Sequence, residues 1–230
     1  MPEMTEILIK VRGSSSVELP PEIGVAHAEI WSAGASPEVA MDRVQRDLAR
    51  MRQKLERLQE DGVVDRFVVQ QVRTSVGPDH EVDDDRPWRE EEESPAIVHR
   101  ASVWLRAEFV DFDALAVWVG RSATEDGCLV NGLSWQLRTE SRRAVEREVR
   151  QDAVRDARVR AQDYADALDL GTLSVRCIND VGVGRDIRLQ SGFSSGPEMA
   201  SATYSAPELA FTPDDITVFA EVEAAFTVGP

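Results

Sequence analysis

Apolar and polar positions alternate from the first residues. Ile7, Ile9 and Val11 interleave with Leu8, Lys10 and Arg12, the period-two pattern of a strand. Gly13 and the serines 14–16 interrupt it, and residues 17–19 resume it. Pro20-Pro21 stops the pairing, because proline has no donor for a ladder. A second strand is predicted over 23–32. Val25, His27, Glu29 and Trp31 lie on one face, and Gly24, Ala26, Ala28 and Ile30 on the other. The period then lengthens. Ser36-Pro37-Glu38 is a helix start, with a capping serine, proline at the first helical position and an acid near the positive end. Ala40, Val44, Leu48, Met51, Leu55 and Leu58 follow at steps of three and four, and Gly62 is placed to end the helix.

Residues 67–76 and 97–109 give a third and a fourth strand, separated by a polar break. Asp111 or Asp113 can cap a second helix, with Leu115, Trp118 and Val119 toward the core and Gly127 at its end. Residues 128–138 make a fifth strand. Thr139 opens the longest helix, 140–169, whose stripe is Val145, Val149, Ala153, Ala157, Ala161, Ala165 and Leu168, with Gly171 closing it. Such small side chains let a helix lie close to a sheet. Residues 173–178 form a sixth strand, and 216–228 the last. The stretch 182–212, rich in Gly, Ser, Pro and Ala, reads as a long loop. The order is ββαββ followed by αβαβ. It predicts an α+β fold, a mostly antiparallel sheet with three helices packed on one face. The whole chain, 1–230, is read as one domain, with residues 1–110 and 111–230 as candidate subdomains.

Composition narrows the function more than the fold. The chain has 230 residues, enough to bury a sizeable core, and a formal net charge of −16. That charge opposes binding to a phosphate backbone, and no basic stripe is visible along the sequence, so no nucleic-acid partner is expected. The acidity is partly local. Residues 79–93 hold nine acids and two arginines, an acidic excursion (79–95) between the third and fourth strands. Within it, Trp88 stands among charges beside Asp83, Asp84, Asp85, Glu90, Glu91 and Glu92. These seven are the candidate contacts for a protein partner.

Catalytic chemistry finds little to work with. Lys10 and Lys54 are the only lysines, one in a strand pattern and one in a charged helix, which disfavours a Schiff base. His27, His80 and His99 share no metal-ligand spacing, and neither Cys128 nor Cys177 is near them in sequence. Both cysteines lie in apolar strand-like runs and are expected as buried free thiols. Gly182-Val183-Gly184 follows a strand but precedes no helix, unlike a phosphate-binding loop. The alternate acids of 79–85 lack the central glycine and closing glutamate of a calcium loop. No catalytic, metal or cofactor site is therefore expected. No apolar run approaches a membrane span, and no basic and apolar leader opens the sequence, so the expected setting is cytoplasmic.

Three stretches together resemble the SIMPL-domain family, also called DUF541. The first is Ile9-Lys10-Val11-Arg12-Gly13-Ser14 with Pro20-Pro21-Glu22-Ile23-Gly24-Val25. The second is Ala40 through Gly62. The third is Ala153-Val154-Arg155-Asp156-Ala157-Arg158, continuing through Ala161, Ala165 and Leu168 to Gly171, and similar to the family's Ala-x-x-Asp-Ala helix. The order and spacing cover nearly the whole chain. The resemblance implies an α+β fold and no established catalytic activity. Some bacterial members of the family are periplasmic or outer-membrane-associated and assemble into large rings, and a mammalian relative looks like a signalling adaptor. This sequence departs from the pattern in having no leader, in carrying Glu22 where aspartate is usual, and in its 79–93 insertion. The expectation is a non-enzymatic assembly or scaffold protein that forms a homo-oligomer. The alternative is a cytoplasmic adaptor that recognises a partner through the acidic excursion or the Gly/Ser-rich 182–212 loop.

Overall fold

The computed structural model describes residues 7–78, 97–186 and 211–228. The elements run β1 (Ile7–Leu19), β2 (Ile23–Gly34), α1 (Pro37–Glu60), β3 (Val64–Pro78), β4 (Ile97–Phe109), α2 (Phe112–Ser122), β5 (Cys128–Gln136), α3 (Thr139–Ala167), β6 (Leu173–Asp186) and β7 (Ile216–Val228). The fold is α+β in the expected order. The strands form two antiparallel sheets, β3-β4-β2-β5 and β1-β7-β6, where one was expected. The period-two pattern specifies faces, not neighbours, and β1 finds its partner at the far end of the chain, with Ile7 opposite Val228.

The chain separates into two compact units that interleave in sequence. One comprises residues 22–136 and 201–212; the other comprises 1–21, 137–200 and 213–230. Residue 111 therefore falls inside the first unit, at the head of α2.

In the unit built on β2–β5, α1 starts where the sequence predicts. Ser36 is extended, and its hydroxyl accepts from the Val39 N–H. Ala40, Val44, Met51 and Leu55 are buried, and Leu48 and Leu58 pack beside them. The stripe lies on β4 and β2, against Ala26, Ala28, Ile30, Val103, Leu105 and Ala107. Gly62, at φ +73°, takes the left-handed turn beyond the C-cap. Asp111, rather than Asp113, caps α2: its carboxylate accepts from the Ala114 N–H at 2.9 Å. Leu115 and Trp118 are buried, with the Trp118 ring 5.4 Å from Phe109. The helix ends at Ser122. Gly127 is instead the left-handed residue, φ +74°, that leads into β5.

In the other unit, α3 lies on β1 and β7. Val149, Ala153, Ala157, Ala161 and Ala165 are buried as the alanine stripe predicts, but Leu168 is exposed. The helix stops at Ala167, and Asp169 (φ 52°), not Gly171, takes the left-handed position. β1 is not interrupted at Gly13. It pairs with β7 without a register shift, Gly13 opposite Val222 and Ser16 opposite Phe219. A Cβ on Gly13 would lie 2.1 Å from the Ala153 carbonyl oxygen, so the absent side chain is what lets β1 touch the helix backbone. The neighbouring Ser14 N–H donates to Asp156 at 2.9 Å, fixing strand to helix at the same level.

Candidate association edges and a basic sheet face

Each sheet has two edge strands, β1 and β6 in one and β3 and β5 in the other. β6 continues to Asp186, through part of the segment expected to be loop. Gly182 and Gly184 thus stand in a strand opposite Glu221 and Phe219, and not in a turn before a helix. The composition of 182–186 suits an exposed edge, where little side-chain packing is required. The rest of the predicted loop, 187–210, lies outside the described residues.

Because α3 sits over β1 and β7, β6 extends beyond its cover. Val175 is 61% exposed, Ile178 44% and Val181 53%. Opposite partners share a face, so Val175 and Ile178 continue the buried surface of Phe226 and Ala224 into solvent. Cys177 is also exposed, contrary to expectation, because its register places it opposite Ala225 on the sheet face away from α3. Cys128 is half-buried, and burial, helped by Glu125, raises its thiol pKa. Both thiols are free. Beside Cys177 lies a depression of about 350 Å³ that also takes in Lys10, Arg12 and Glu223. Its ion pair is closed, with Arg12 2.8 Å from Glu223 and 3.4 Å from Glu221.

β3 is one of the two outer strands of the four-stranded sheet. Its pairing with β4 shifts register between Val64 and Arg66 and between Val69 and Gln71, then runs regularly from Gln71 to Pro78. On the helix-free face, register places Arg66 opposite Glu108, Val68 opposite Arg106, Gln71 opposite Trp104, Arg73 opposite Ser102 and Ser75 opposite Arg100. Four arginines thus share one sheet face in a chain of net charge −16. The sequence conceals this. Arg100, Trp104 and Arg106 follow the strand period, but Arg66 and Arg73 have opposite parity, and only the extra residue at 70 brings them to one side.

At one end of this face Glu108 is buried between Arg66 at 2.7 Å and Arg106 at 2.6 Å. Arg106 also reaches Gln136 at 3.4 Å. Next to it, His27 Nε2 lies 3.5 Å from the Ser134 hydroxyl. Burial lowers the His27 pKa, and the Arg106 guanidinium lowers it further. A serine–histidine pair that acts on an acyl group needs a carboxylate to stabilise the imidazolium. Here the adjacent charge is positive, and Glu108 is engaged by two guanidiniums.

At the other end, the Arg73 guanidinium lies 5.7 Å over the Trp104 ring. The Trp104 indole N–H is buried with no partner among the described residues. The Arg100 guanidinium reaches across to β3, 3.7 Å from where a Gly77 Cβ would stand. Trp31 is 41% exposed on this face. A depression of about 740 Å³ runs here between Glu29, Trp31, Arg73, Ser75, Arg100 and Leu129. A second, of about 760 Å³, lies along α1 and is lined by Arg43, Arg46 and Arg50. Its charges are engaged locally: Arg50 pairs with Asp47, Arg43 donates to the Ala33 carbonyl, and Arg46 donates to that of Asp42.

His99 lies on β4, as expected, with its Nδ1 unpartnered among the described residues. Trp88, Asp83, Asp84, Asp85, Glu90, Glu91 and Glu92, and His80 with them, lie outside the described residues. Among the described residues no group of three or more His, Cys, Asp or Glu side chains could hold a metal ion. No described helix is long and apolar enough to cross a membrane.

With both sheets, the Gly13–α3 contact and the capped helices in place, the family comparison is decisive. The profile of SIMPL, a protein family of unknown function (DUF541), matches residues 9–226. The chain belongs to the SIMPL family. The match takes in both structural units, from β1 to β7, so Gly13 and the Asp156 helix fall within one family pattern. Among curated proteins no match to this SIMPL chain is found.

Proposed function

We propose that this SIMPL-family chain is a non-enzymatic assembly protein that self-associates through its sheet edges. The observation that supports the reading best is β6. It is a 14-residue outer strand with Val175, Ile178 and Val181 open to solvent beside the edge of α3. Among the described residues nothing pairs with the outer side of β6, and such an edge presents backbone donors and acceptors to a second strand. Pairing two β6 strands would satisfy the edge and bury the valines together. The Ser134–His27 pair on the basic face stands beside a cation, which argues against acyl chemistry there.

Size-exclusion chromatography with light scattering tests the reading. The expected result at micromolar concentration is a discrete multiple of 25.5 kDa. Val175→Lys with Ile178→Lys, both on exposed positions, is expected to reduce that multiple without loss of secondary structure. A 25.5 kDa monomer across the micromolar range would sink the proposal.

A further inference from the structure

The chain has two lysines and two cysteines, and the fold pairs them. Lys10 and Cys177 line one depression, of about 350 Å³; Lys54 and Cys128 line another, of about 280 Å³. We propose that the first pair is an acylation relay, in which Cys177 accepts a small acyl group from a thioester and passes it to the Lys10 amine.

Register carries the argument. Ala225 of β7 stands opposite Lys10 on one side and Cys177 on the other. The three form one cross-strand row on the face away from α3, because Gly13, of opposite parity to Lys10, faces the helix. Two inter-strand steps separate lysine from cysteine, about 10 Å between Cα atoms. The residue between them carries only a methyl group, so the four-carbon stem of Lys10 can lie across it toward the sulfur. Lys10 and Cys177 are exposed, and Ala225 between them is 5% exposed. Glu223, the carboxylate of the depression, is held by Arg12 at 2.8 Å, and Lys10 makes no ion pair among the described residues. The second pair lacks these features. Lys54 is ion-paired to Glu125, and Cys128 is half-buried, with its thiol pKa raised by burial. It is the internal control.

The chemistry balances without a redox partner. The Cys177 thiol gives up its proton, and the thiolate attacks the carbonyl carbon of the thioester. A new S–C bond forms, the old one breaks, and the departing thiolate takes up a proton. The deprotonated Lys10 amine then attacks the same carbon. Its N–C bond forms, the Cys177 S–C bond breaks, and a proton from the amine returns to the Cys177 sulfur. The product is an amide, more stable than either thioester, so the second step runs one way. Holding the acyl group on Cys177 makes the amine's attack intramolecular, and the rate advantage arises there. The site stands on the sheet face opposite to Val175 and Ile178 and does not rest on self-association.

The test follows acetylation of the full chain by the neutral thioester S-acetyl-N-acetylcysteamine, read at each lysine by peptide mass spectrometry. Lys10 is expected to be acetylated roughly tenfold or more faster than Lys54. Cys177→Ser, a nearly isosteric change at an exposed position, should bring Lys10 down to the rate of Lys54. Lys10→Arg should instead leave the acetyl group on Cys177, as a thioester that hydroxylamine releases. Capping Cys177 of the unsubstituted chain as a methyl disulfide should remove the fast reaction at Lys10, and reduction should restore it. The proposal is overturned if the two lysines react equally with the thioester, or if the Lys10 rate is unchanged by Cys177→Ser or by the cap. Accumulation of acetyl-Cys177 in the unsubstituted chain, with Lys10 unmodified, would overturn the transfer step.

Discussion

Gly13 and Asp156 show how single residues join β1 to α3. Any side chain at position 13 would enter the helix backbone, with a Cβ 2.1 Å from the Ala153 oxygen and 2.4 Å from the Ala157 nitrogen. Neither atom belongs to a flexible side chain, so strand and helix would have to separate. Gly13→Ala is expected to cost about 3 kcal/mol, the upper end of the overpacking range, read as a lower urea midpoint. Asp156 is a gentler tie. The Ser14 N–H holds its carboxyl below the ordinary Asp value of 3.8, assisted by Arg160. A lowered folded pKa means that this stabilisation is complete above the ordinary value and is lost as pH falls through the folded one. Asp156→Ala should therefore cost about 1 kcal/mol near neutral pH. Urea melts of wild type and variant should converge as the pH drops below that of an ordinary aspartate. A difference independent of pH would remove the ionised carboxylate from the explanation.

Elements reveal themselves in the sequence to the extent that their signals are local. α1 was legible almost to the residue, because Ser36, Pro37 and the apolar stripe act within a few turns of one another. The face alternation of β2 was legible for the same reason: Ala26, Ala28 and Ile30 are buried, while Trp31 is open. β6 was not. Its glycines argue locally for a loop, yet β7 offers partners as far as Asp186, across two register shifts. The candidate surfaces are less legible still. The basic face needs the bulge near residue 70 and the β3–β4 register, neither of which has a sequence signature. The same reasoning corrects the cysteines, since a strand buries its thiol only on the face that a helix covers. Cys177, on the face away from α3, should react quickly with an aromatic disulfide reagent at pH 7.5. Cys128, half-buried and with its pKa raised by burial, should react slowly. Cys177→Ser is expected to abolish the fast phase and leave the slow one; loss of the slow phase instead would reverse the assignment.

At the scale of the whole molecule, the two units differ in how far apart their parts lie along the chain. Residues 22–136 contain β2–β5 and both helices of their core as one continuous stretch. The other unit is assembled from both termini and a middle segment. Its central strand, β7, pairs with β1 on one side and β6 on the other. α3 rests on β1 as well as β7, with Gly13 of β1 set against the helix backbone. A fragment of residues 22–136 is therefore expected to unfold cooperatively in urea as an isolated chain, even without the contact of Phe211 with Trp135. A fragment of residues 137–230 lacks β1. Its alanine stripe would face water along half its width, and one edge of β7 would be unpaired. It should show no cooperative transition by circular dichroism. Adding a peptide of residues 1–21 in trans should restore one, because β1 supplies both the missing ladder and the surface under α3. Cooperative unfolding of 137–230 alone would show that β1 is an accessory to this unit. Rescue by the peptide would place the cost of its assembly in closing the long loop between the termini, a cost that grows only slowly with the length of chain between them.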